Sequence, residues 1–455
     1  MEKISRRDFF TRIAGGTAMA ALPRIVYASE KQVKFRKPNI IFILADDLGY
    51  GDLGCYGQKV IKTPHIDRLA AEGTQFTDCY AGSTVCAPSR CCLMTGLHTG
   101  HAYVRGNQRV PLPPEEVTVA EILKEAGYKT GIVGKWGLGE PGTTGIPNRQ
   151  GFDYWFGYLN QGRAHNYYPE YLWKNEEKYF LEGNQAGEKE QYSHDLFTRE
   201  ALDFVTRHKD RPFFLYLAYT IPHANNELGR ETGDGMEVPS YEPYADEKWP
   251  TPQKGHAAMI TRLDHDLGKL MALLKKLGID DDTIVFFSSD NGPHREGGAK
   301  PEFFDSNGPL RGIKRDLYEG GIRVPKIVRW PGKIKAGGVS DQVWTFWDFL
   351  PTAAEIAGTK APSNIDGISM LPALLGKEQR SHEFLYWEFH ERGFTQAVRM
   401  GDWKAVQFVK QQRFELYNLK TDLGEKQNVA DKHPDLVEKI EAYLKTARTK
   451  SDYWG

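Results

Sequence analysis

A cysteine and an arginine stand about one helical turn apart in the segment STVCAPSRCCLMTG, residues 83–96. Pro88 is compatible with the first turn of a helix, so the segment predicts a helix with Cys86 at its N-terminus and Arg90 one turn further on. The free backbone N–H groups at such a terminus favour an anion or a polar nucleophile and lower the pKa of a thiol. The pattern indicates a reactive or anion-binding cysteine. The alternative is a small buried hydrophobic residue, the ordinary role of a lone cysteine.

Polar and charged side chains stand at the ends of four predicted strands, residues 39–45, 129–135, 212–219 and 283–289. Each of these runs is nearly continuous in apolar residues, as in strands that are buried on both faces of a sheet. The side chains at the strand ends are, in chain order, Asp46 and Asp47, Lys135, His223, and Asp290 and Asn291. Ligands bind outside the carboxyl ends of the strands in open parallel sheets. If the four strands are neighbours, these side chains meet in one pocket.

Asp46, Asp47, Asp290 and Asn291 offer only oxygen atoms as metal ligands. Hard oxygen donors without histidine or cysteine favour Ca²⁺ or Mg²⁺ over zinc or copper. A turn or a helix cap explains either pair taken alone, whereas two pairs at equivalent strand ends favour a metal. Such a metal would act as a Lewis acid and as a charge sink for an anionic substrate.

Three cationic side chains and one histidine complete the predicted site. Lys135 ends an apolar strand and precedes a tryptophan, so it has less access to water than a surface lysine and is suited to bind an anion. Arg90 and Lys314 are expected near the same rim. His223, in TIPHAN, could act as general acid to a leaving alcohol, or it could be a turn histidine with a satisfied imidazole.

Strand and helix patterns alternate from about residue 38 to residue 330, with a fifth strand expected at residues 324–330. Helices are expected after Thr63 and after Thr118, and an apolar stripe at residues 260–277 predicts a third. This alternation predicts an α/β fold in which helices sandwich a large, mostly parallel sheet.

The pattern changes after about residue 377 to short, polar-interleaved runs and a last helical segment at residues 434–447. These runs predict a small α+β domain with an antiparallel sheet. We therefore predict a catalytic domain of residues 38–376 and a C-terminal subdomain of residues 377–455.

The balance of charges makes one class of protein, the nucleic-acid-binding proteins, less consistent with this sequence. The chain has 59 basic and 60 acidic residues and no basic stripe, which argues against nucleic-acid binding.

Residues 1–29 combine the adjacent arginines of SRRDFF with a short apolar run and small residues. They predict a removable export signal read by the twin-arginine translocase, rather than an amphipathic first helix. The mature protein is expected to be periplasmic or extracellular, without a membrane span.

Five cysteines are an odd number for an exported protein and indicate a reactive or modified thiol. The spacing of these cysteines does not match a structural zinc site.

Five sequence blocks resemble the sulfatase family of the alkaline phosphatase superfamily. CAPSRCCLMTG matches the signature Cys-x-Pro-Ser-Arg followed by Thr-Gly, and ILADDLGYGDLGCYG, VGKWGLG, SSDNG and PLRGIKRDLYEGGIRVP match further blocks in the same order. The resemblance extends from about residue 38 to the C-terminus. It implies an alkaline phosphatase-like fold and the hydrolysis of sulfuric esters.

The resemblance also implies a cofactor chemistry. Cys86 would be oxidised by a dedicated maturation enzyme to Cα-formylglycine, whose hydrate binds Ca²⁺, attacks sulfur with one hydroxyl and expels sulfate with the other. Carried over by position, the calcium ligands are Asp46, Asp47, Asp290, Asn291 and the converted Cys86. Arg90 and Lys135 would hold the converted residue and the sulfate, and His223 and Lys314 would lie near the leaving oxygen.

One position departs from the family pattern. Many sulfatases have GKWHLG, with a histidine that assists expulsion of sulfate, whereas this chain has GKWGLG with Gly137. The second step then needs another base, for which His294, His165, Asp290 and water are the candidates. We expect His294 or His165 to take this role or to contact the sugar.

The substrate is expected to be a sulfated polysaccharide fragment, because the chain carries an export signal and an aromatic-rich loop, HNYYPEYLWKN. Two other functions fit the same residues. One is a phosphomonoester or phosphonate-ester hydrolase of the same superfamily, and the other is a sulfoglycan-binding protein that has lost catalysis.

Overall fold

The computed structural model describes residues 37–455, and its largest element is one mixed sheet. The strands of this sheet are β1 (Asn39–Ala45), β2 (Thr74–Phe76), β4 (Lys129–Lys135), β5 (Tyr154–Tyr158), β6 (Tyr171–Lys174), β7 (Glu177–Phe180), β8 (Phe213–Ala218), β9 (Thr283–Ser289), β10 (Lys326–Arg329) and β11 (Gly338–Ser340). They lie side by side in the order β11-β2-β10-β9-β1-β8-β4-β5-β6-β7. A separate pair joins β3 (Cys79–Tyr80) to β12 (Trp344–Thr345).

The four strands predicted to carry the site are consecutive neighbours. β9, β1, β8 and β4 run parallel to one another, with Ala45 opposite Ser289 and Gly134 opposite Ala218. Nearly every residue of these strands is buried. The fifth predicted strand, β10, pairs antiparallel with β9, so the sheet is mostly rather than wholly parallel. The carboxyl ends of the four central strands therefore meet at one edge, as the sequence predicted.

Helices cover both faces of the sheet. They are α1 (Pro64–Glu72), α2 (Cys86–Thr95), α3 (Val119–Glu125), α4 (Ser193–His208), α5 (Asn226–Thr232), α6 (Thr251–Lys276), α7 (Glu319–Ile322), α8 (Phe349–Ile356), α9 (Leu371–Leu374) and α10 (Pro434–Leu444). Alternate residues of β1 enter two hydrophobic cores, one shared with α2, α3 and α8 and the other with α1, α4 and α6. This burial on both faces explains the continuous apolar runs in the sequence.

A four-stranded antiparallel sheet lies near the C-terminus, as predicted. Its strands, β13 (Leu385–Phe389), β14 (Thr395–Met400), β15 (Trp403–Phe408) and β16 (Arg413–Asn418), follow one another in sequence and in space. Apolar side chains of this sheet pack against α10. The predicted fold class is therefore confirmed, and the domain boundary at residue 377 stays a prediction.

The predicted export signal, residues 1–29, lies outside the described residues. Within residues 37–455, no helix is both long enough and apolar enough to cross a bilayer.

Glycine at position 134 allows β4 to approach β8 closely just before Lys135. Gly134 has a φ of +110°, and a Cβ there would lie 1.9 Å from the carbonyl oxygen of Ala218. Both the backbone conformation and the contact therefore require glycine. Lys135 takes its position from this close pairing.

We predict that Gly134→Ala lowers the free energy of unfolding by about 2 kcal/mol or more, because it adds a collision to backbone strain. Gly127→Ala is the matched control, since Gly127 also has a positive φ of +89° but has open space around its Cβ position. The control should lose only about 1 kcal/mol. Urea unfolding of both variants measures the difference, and equal losses would contradict the close-packing account.

Candidate active site

A sharp turn after β1 presents two carboxylates at the edge of the sheet. Asp47 has a φ of +65°, in the left-handed region, and its backbone N–H donates to Asp290 Oδ1 over 3.1 Å. Asp290 in turn donates its backbone N–H to the carbonyl of Ala45. These bonds tie the ends of β1 and β9 together. Asp46, Asp47 and Asp290 are consequently brought side by side, as the sequence predicted.

Cys86 begins helix α2 and lies beside this turn. Its Sγ atom is 3.3 Å from Asp46 Oδ1, and the residue is only 2% exposed. The expectation that the helix terminus lowers the pKa of this thiol is wrong. Burial raises the pKa of Cys86 well above its usual range, and the neighbouring Asp46 carboxylate adds to the effect. Removal from water and a nearby negative charge outweigh the helix dipole here.

Three buried cations neutralise the three carboxylates. Lys135 Nζ donates to Asp46 Oδ2 over 2.6 Å, and Lys314 Nζ donates to Asp47 Oδ2 over 2.7 Å. The third cation, Arg90, reaches Asp290 Oδ2 through Nη2 at 2.8 Å and through Nε at 3.1 Å. All of these side chains are at most 2% exposed. We call Asp46, Asp47, Asp290, Arg90, Lys135 and Lys314 the buried ion cluster.

Pairing within the buried ion cluster offsets the cost of burial for individual groups. Burial alone raises the pKa of Asp46, but Lys135 and Arg90 outweigh it and hold that pKa well below its usual range. Asp290 shows the opposite balance, because burial and the Asp46 carboxylate raise its pKa to about 7. The carboxylates are therefore unequal, and Asp46 is the one most strongly held as an anion.

His223 faces the buried ion cluster with one ring nitrogen. Its Nδ1 lies 2.7 Å from the carbonyl oxygen of Ala224, which can only accept, so Nδ1 carries the proton. Its Nε2 lies 3.0 Å from Lys314 Nζ and accepts from it. Burial and the Lys314 ammonium lower the pKa of His223 to about 3. His223 is thus a neutral acceptor toward Lys314 in this arrangement.

Two further histidines flank the ring of His223. His165 stacks on it with ring centroids 4.9 Å apart, and its Nδ1 lies 3.1 Å from Glu227 Oε2. His294 stacks on it at 5.7 Å, donates Nε2–H to the carbonyl of Pro222 and accepts the Glu296 N–H at Nδ1. Both ring nitrogens of His294 are therefore occupied by the backbone. Of these three histidines, only His165 keeps a ring nitrogen, Nε2, without a hydrogen-bond partner among the described residues.

Glu296 is a site residue that sequence reasoning missed. Its Oε2 lies 3.3 Å from Lys314 Nζ and 3.7 Å from His223 Nε2, and its Oε1 pairs with Arg315. Burial alone would raise the pKa of Glu296, but Lys314 and His223 outweigh it and lower that pKa. The signal in the sequence was its place in the loop DNGPHREGG that follows β9. This carboxylate gives Lys314 a second anionic partner.

The residues at the sheet edge fit a divalent cation. Ligating atoms of Asp46, Asp47, Cys86 and His223 all lie within 4.8 Å of one another. Asn291 donates Nδ2 to Asp47 Oδ1 over 2.7 Å, whereas its Oδ1 is buried without a hydrogen-bond partner among the described residues. A buried acceptor without a donor is costly, and a cation would satisfy it. The donor atoms are mainly oxygens, which suit hard cations.

The comparisons with known proteins agree with this geometry. The sequence profile of the Sulfatase family matches residues 38–359, and the profile "N-sulphoglucosamine sulphohydrolase, C-terminal" matches residues 313–450. The chain belongs to the sulfatase family. Sulfatases hydrolyse sulfuric esters, so the predicted enzyme class is confirmed.

Individual relatives resemble this sulfatase over most of its length. It is 36% identical to N-acetylgalactosamine-6-sulfatase of Canis lupus familiaris, over 86% of this chain and 76% of that protein. It is 32% identical to N-acetylgalactosamine-6-O-sulfatase of Bacteroides thetaiotaomicron, over 91% of this chain and 94% of that protein. The crystal structure of Ps i-CgsB in complex with k-i-k-neocarrahexaose matches with a TM-score of 0.78 and 33% identity, covering 90% of this chain and 93% of that one.

We predict that Arg90→Lys destabilises the sulfatase by about 2–4 kcal/mol, because lysine cannot reproduce the forked contact with Asp290 in a buried site. Arg90 also donates Nη1–H to the carbonyl of Lys135, so the variant should lower activity as well. Arg68→Lys is the control, since Arg68 is exposed and pairs with Glu72 on the surface of α1. Thermal and urea unfolding compare the two. Similar stabilities would show that the Arg90 contact contributes little.

Proposed function

We propose that this sulfatase removes sulfate from a sulfated carbohydrate. The observation that carries the proposal is the buried ion cluster, in which three cations surround the carboxylates beside Cys86. Fixed cations in a site closed to water stabilise the charge that moves onto sulfuryl oxygens in the transition state. The relatives named above support a carbohydrate as the substrate, because two are N-acetylgalactosamine sulfatases and one structure is a complex with a neocarrahexaose.

We propose Ca²⁺ as the resident metal, held by Asp46, Asp47, Asp290 and Asn291. Asp47, Asp290 and Asn291 are fully buried, which leaves little room for the several waters that Mg²⁺ usually retains. The proposed fifth ligand is Cys86 after conversion to Cα-formylglycine by a maturation enzyme. Together, the metal and the converted residue would supply an activated hydroxyl as nucleophile toward sulfur.

Lys135 and Lys314 couple metal binding to anion binding. Their ammonium groups now neutralise Asp46 and Asp47. Carboxylates that coordinate a cation neutralise these lysines less, so more positive charge remains to attract a sulfate ester. Arg90 stays bound to Asp290 and to the backbone of Lys135, and it fixes the edge at which the ester would bind.

Lys314 and His223 are the proposed source of the proton for the leaving alcohol. Lys314 Nζ holds its protons 3.0 Å from His223 Nε2, and the Ala224 carbonyl fixes the imidazole in the tautomer that accepts there. A proton held between two nitrogens can pass to a leaving oxygen that approaches either of them. Glu296 keeps Lys314 charged until then.

His165 is the better of the two histidines proposed for substrate contact. Its Nε2 has no hydrogen-bond partner within residues 37–455, whereas both ring nitrogens of His294 bind the backbone. We propose that His165 contacts the sugar and that His294 supports the ring of His223. The export signal, the twin-arginine translocase and a location outside the cytoplasm also remain proposals.

The first test of the proposed function measures the conversion of Cys86. We expect peptide mass spectrometry of protein co-expressed with a formylglycine-generating enzyme to show loss of H₂S and gain of one oxygen at Cys86, with capture by hydrazide. The converted enzyme should then hydrolyse 4-nitrophenyl sulfate and a sulfated N-acetylgalactosamine far faster than the matching phosphates. Cys86→Ala is the control and should be inactive.

Three results would contradict this function. A higher kcat/KM on phosphate or phosphonate esters would favour the related hydrolases. Tight glycan binding without turnover, despite conversion, would favour a silent binding protein. Activity only on small aryl esters would overturn the carbohydrate part alone.

We predict that chelation lowers both activity and thermal stability, because it leaves Asn291 Oδ1 unsatisfied and the carboxylates dependent on the lysines alone. Calcium at saturating concentration should restore the activity and raise Tm by several degrees, and magnesium should have a smaller effect on both. Asp47→Asn should lose the calcium response. Asp281→Asn, a change at an exposed aspartate, should keep it. Equal calcium responses in the two variants would place the metal elsewhere.

A further inference from the structure

Gln161 carries a buried hydrogen-bond donor that no residue in the described part of the chain accepts. Its side-chain Nε2 is inaccessible to water and has no hydrogen-bond partner among residues 37–455. A buried amide without a partner costs free energy and is uncommon in folded proteins. A bound ligand would accept this hydrogen bond if the amide faces a ligand-binding cavity.

Gly137 makes the space that this carboxamide occupies. Gly137 has a φ of +85°, and a Cβ built on it would lie 2.2 Å from Gln161 Nε2. The backbone N–H of Gly137 also donates to the carbonyl of Leu159, which keeps the segments after β4 and β5 paired. A side chain at position 137 would therefore displace Gln161. The carboxamide therefore lies beside a residue that follows Lys135, a member of the buried ion cluster, by two positions.

Gln161 and Asn107 line the same small cavity. Asn107, Arg109, Gly137, Glu140 and Gln161 are among the residues that line it. Asn107 Oδ1 accepts the backbone N–H of Ala87 over 3.0 Å, so this wall of the cavity touches the residue directly after Cys86. The unpaired donor thus lines a cavity whose walls include Gly137, two residues after Lys135, and Asn107, which binds the residue after Cys86.

We infer that Gln161 binds the substrate directly, with Nε2 donating a hydrogen bond to an oxygen of the sulfuryl group. The inference rests on the proposed function, since it requires a sulfate ester at Cys86. A carboxamide does not take up a proton at neutral pH, so Gln161 does not act as the base that a histidine at position 137 would supply. It acts by binding the charged oxygens, which accept strong hydrogen bonds.

Gln161→Ala tests the inference in the converted, metal-loaded enzyme. We expect kcat/KM for 4-nitrophenyl sulfate to fall roughly 10- to 100-fold, the usual effect of losing a hydrogen bond to a charged group. Inhibition by inorganic sulfate should weaken by a similar factor. Gln161→Glu should lose more, because a carboxylate repels sulfate, and Gln161→Asn should retain part of the activity. Gly137→Ala should resemble Gln161→Ala, because its methyl group displaces the carboxamide.

The thermal stability of Gln161→Ala distinguishes a role in substrate binding from a structural role. Because Nε2 makes no hydrogen bond within residues 37–455, Gln161→Ala should leave Tm unchanged or slightly raised. Gln411→Ala, a change in an exposed turn between β15 and β16, is the matched control and should alter neither kinetics nor Tm.

The inference is overturned if Gln161→Ala keeps wild-type kcat/KM and wild-type inhibition by sulfate. It is also overturned if the variant only raises KM for the glycan, which would place the contact on a sugar hydroxyl. A loss of activity that is explained by a lowered Tm would overturn it as well. Failure of the wild-type enzyme to hydrolyse any sulfate ester would instead refute the proposed function.

Discussion

The buried ion cluster is the constraint on which the rest of the structure depends. Charged groups removed from water are costly unless each has a partner in good geometry, and here three carboxylates and three cations are almost completely buried together. The partners come from the ends of three strands, from helix α2 and from a loop, and some lie far apart in the chain, such as Asp47 and Lys314. The sheet, its two covered faces and the helix that begins at Cys86 hold these groups where no single one is left unpaired.

The same constraint explains why the edge of the sheet is suited to catalysis. Two bonds in the cluster, Lys135–Asp46 and Lys314–Asp47, join a lysine to a carboxylate that also fits a metal ion, so these carboxylates have two alternative cationic partners. His223 is fixed by the backbone and by stacked histidines, and its remaining nitrogen points at Lys314. Local irregularities serve this arrangement. The left-handed turn at Asp47 aims two carboxylates at one point, and Gly134 lets the strand that ends in Lys135 approach its neighbour.

Much of this arrangement was predictable from sequence, because buried parallel strands leave long apolar runs and their ends are marked by charge. β1, β4 and β9 have the predicted bounds, and the oxygen-bearing pairs after β1 and β9 do converge. Properties that depend on neighbours distant in sequence were not predictable. The helix-terminus rule gave the wrong direction for the pKa of Cys86, because Asp46 and burial outweigh the helix dipole. Glu296 is marked in the sequence only by its place in the loop after β9, and the unpaired amide of Gln161 leaves no local pattern.

The most direct test of the central claim is a crystal structure of the converted protein grown with calcium and soaked in inorganic sulfate. The account predicts a cation bound by oxygens of Asp46, Asp47, Asp290 and Asn291, together with a sulfate ion that accepts hydrogen bonds from the cations of the cluster. A structure in which Lys135 and Lys314 still neutralise Asp46 and Asp47, with no cation between these carboxylates and sulfate bound elsewhere, would contradict it.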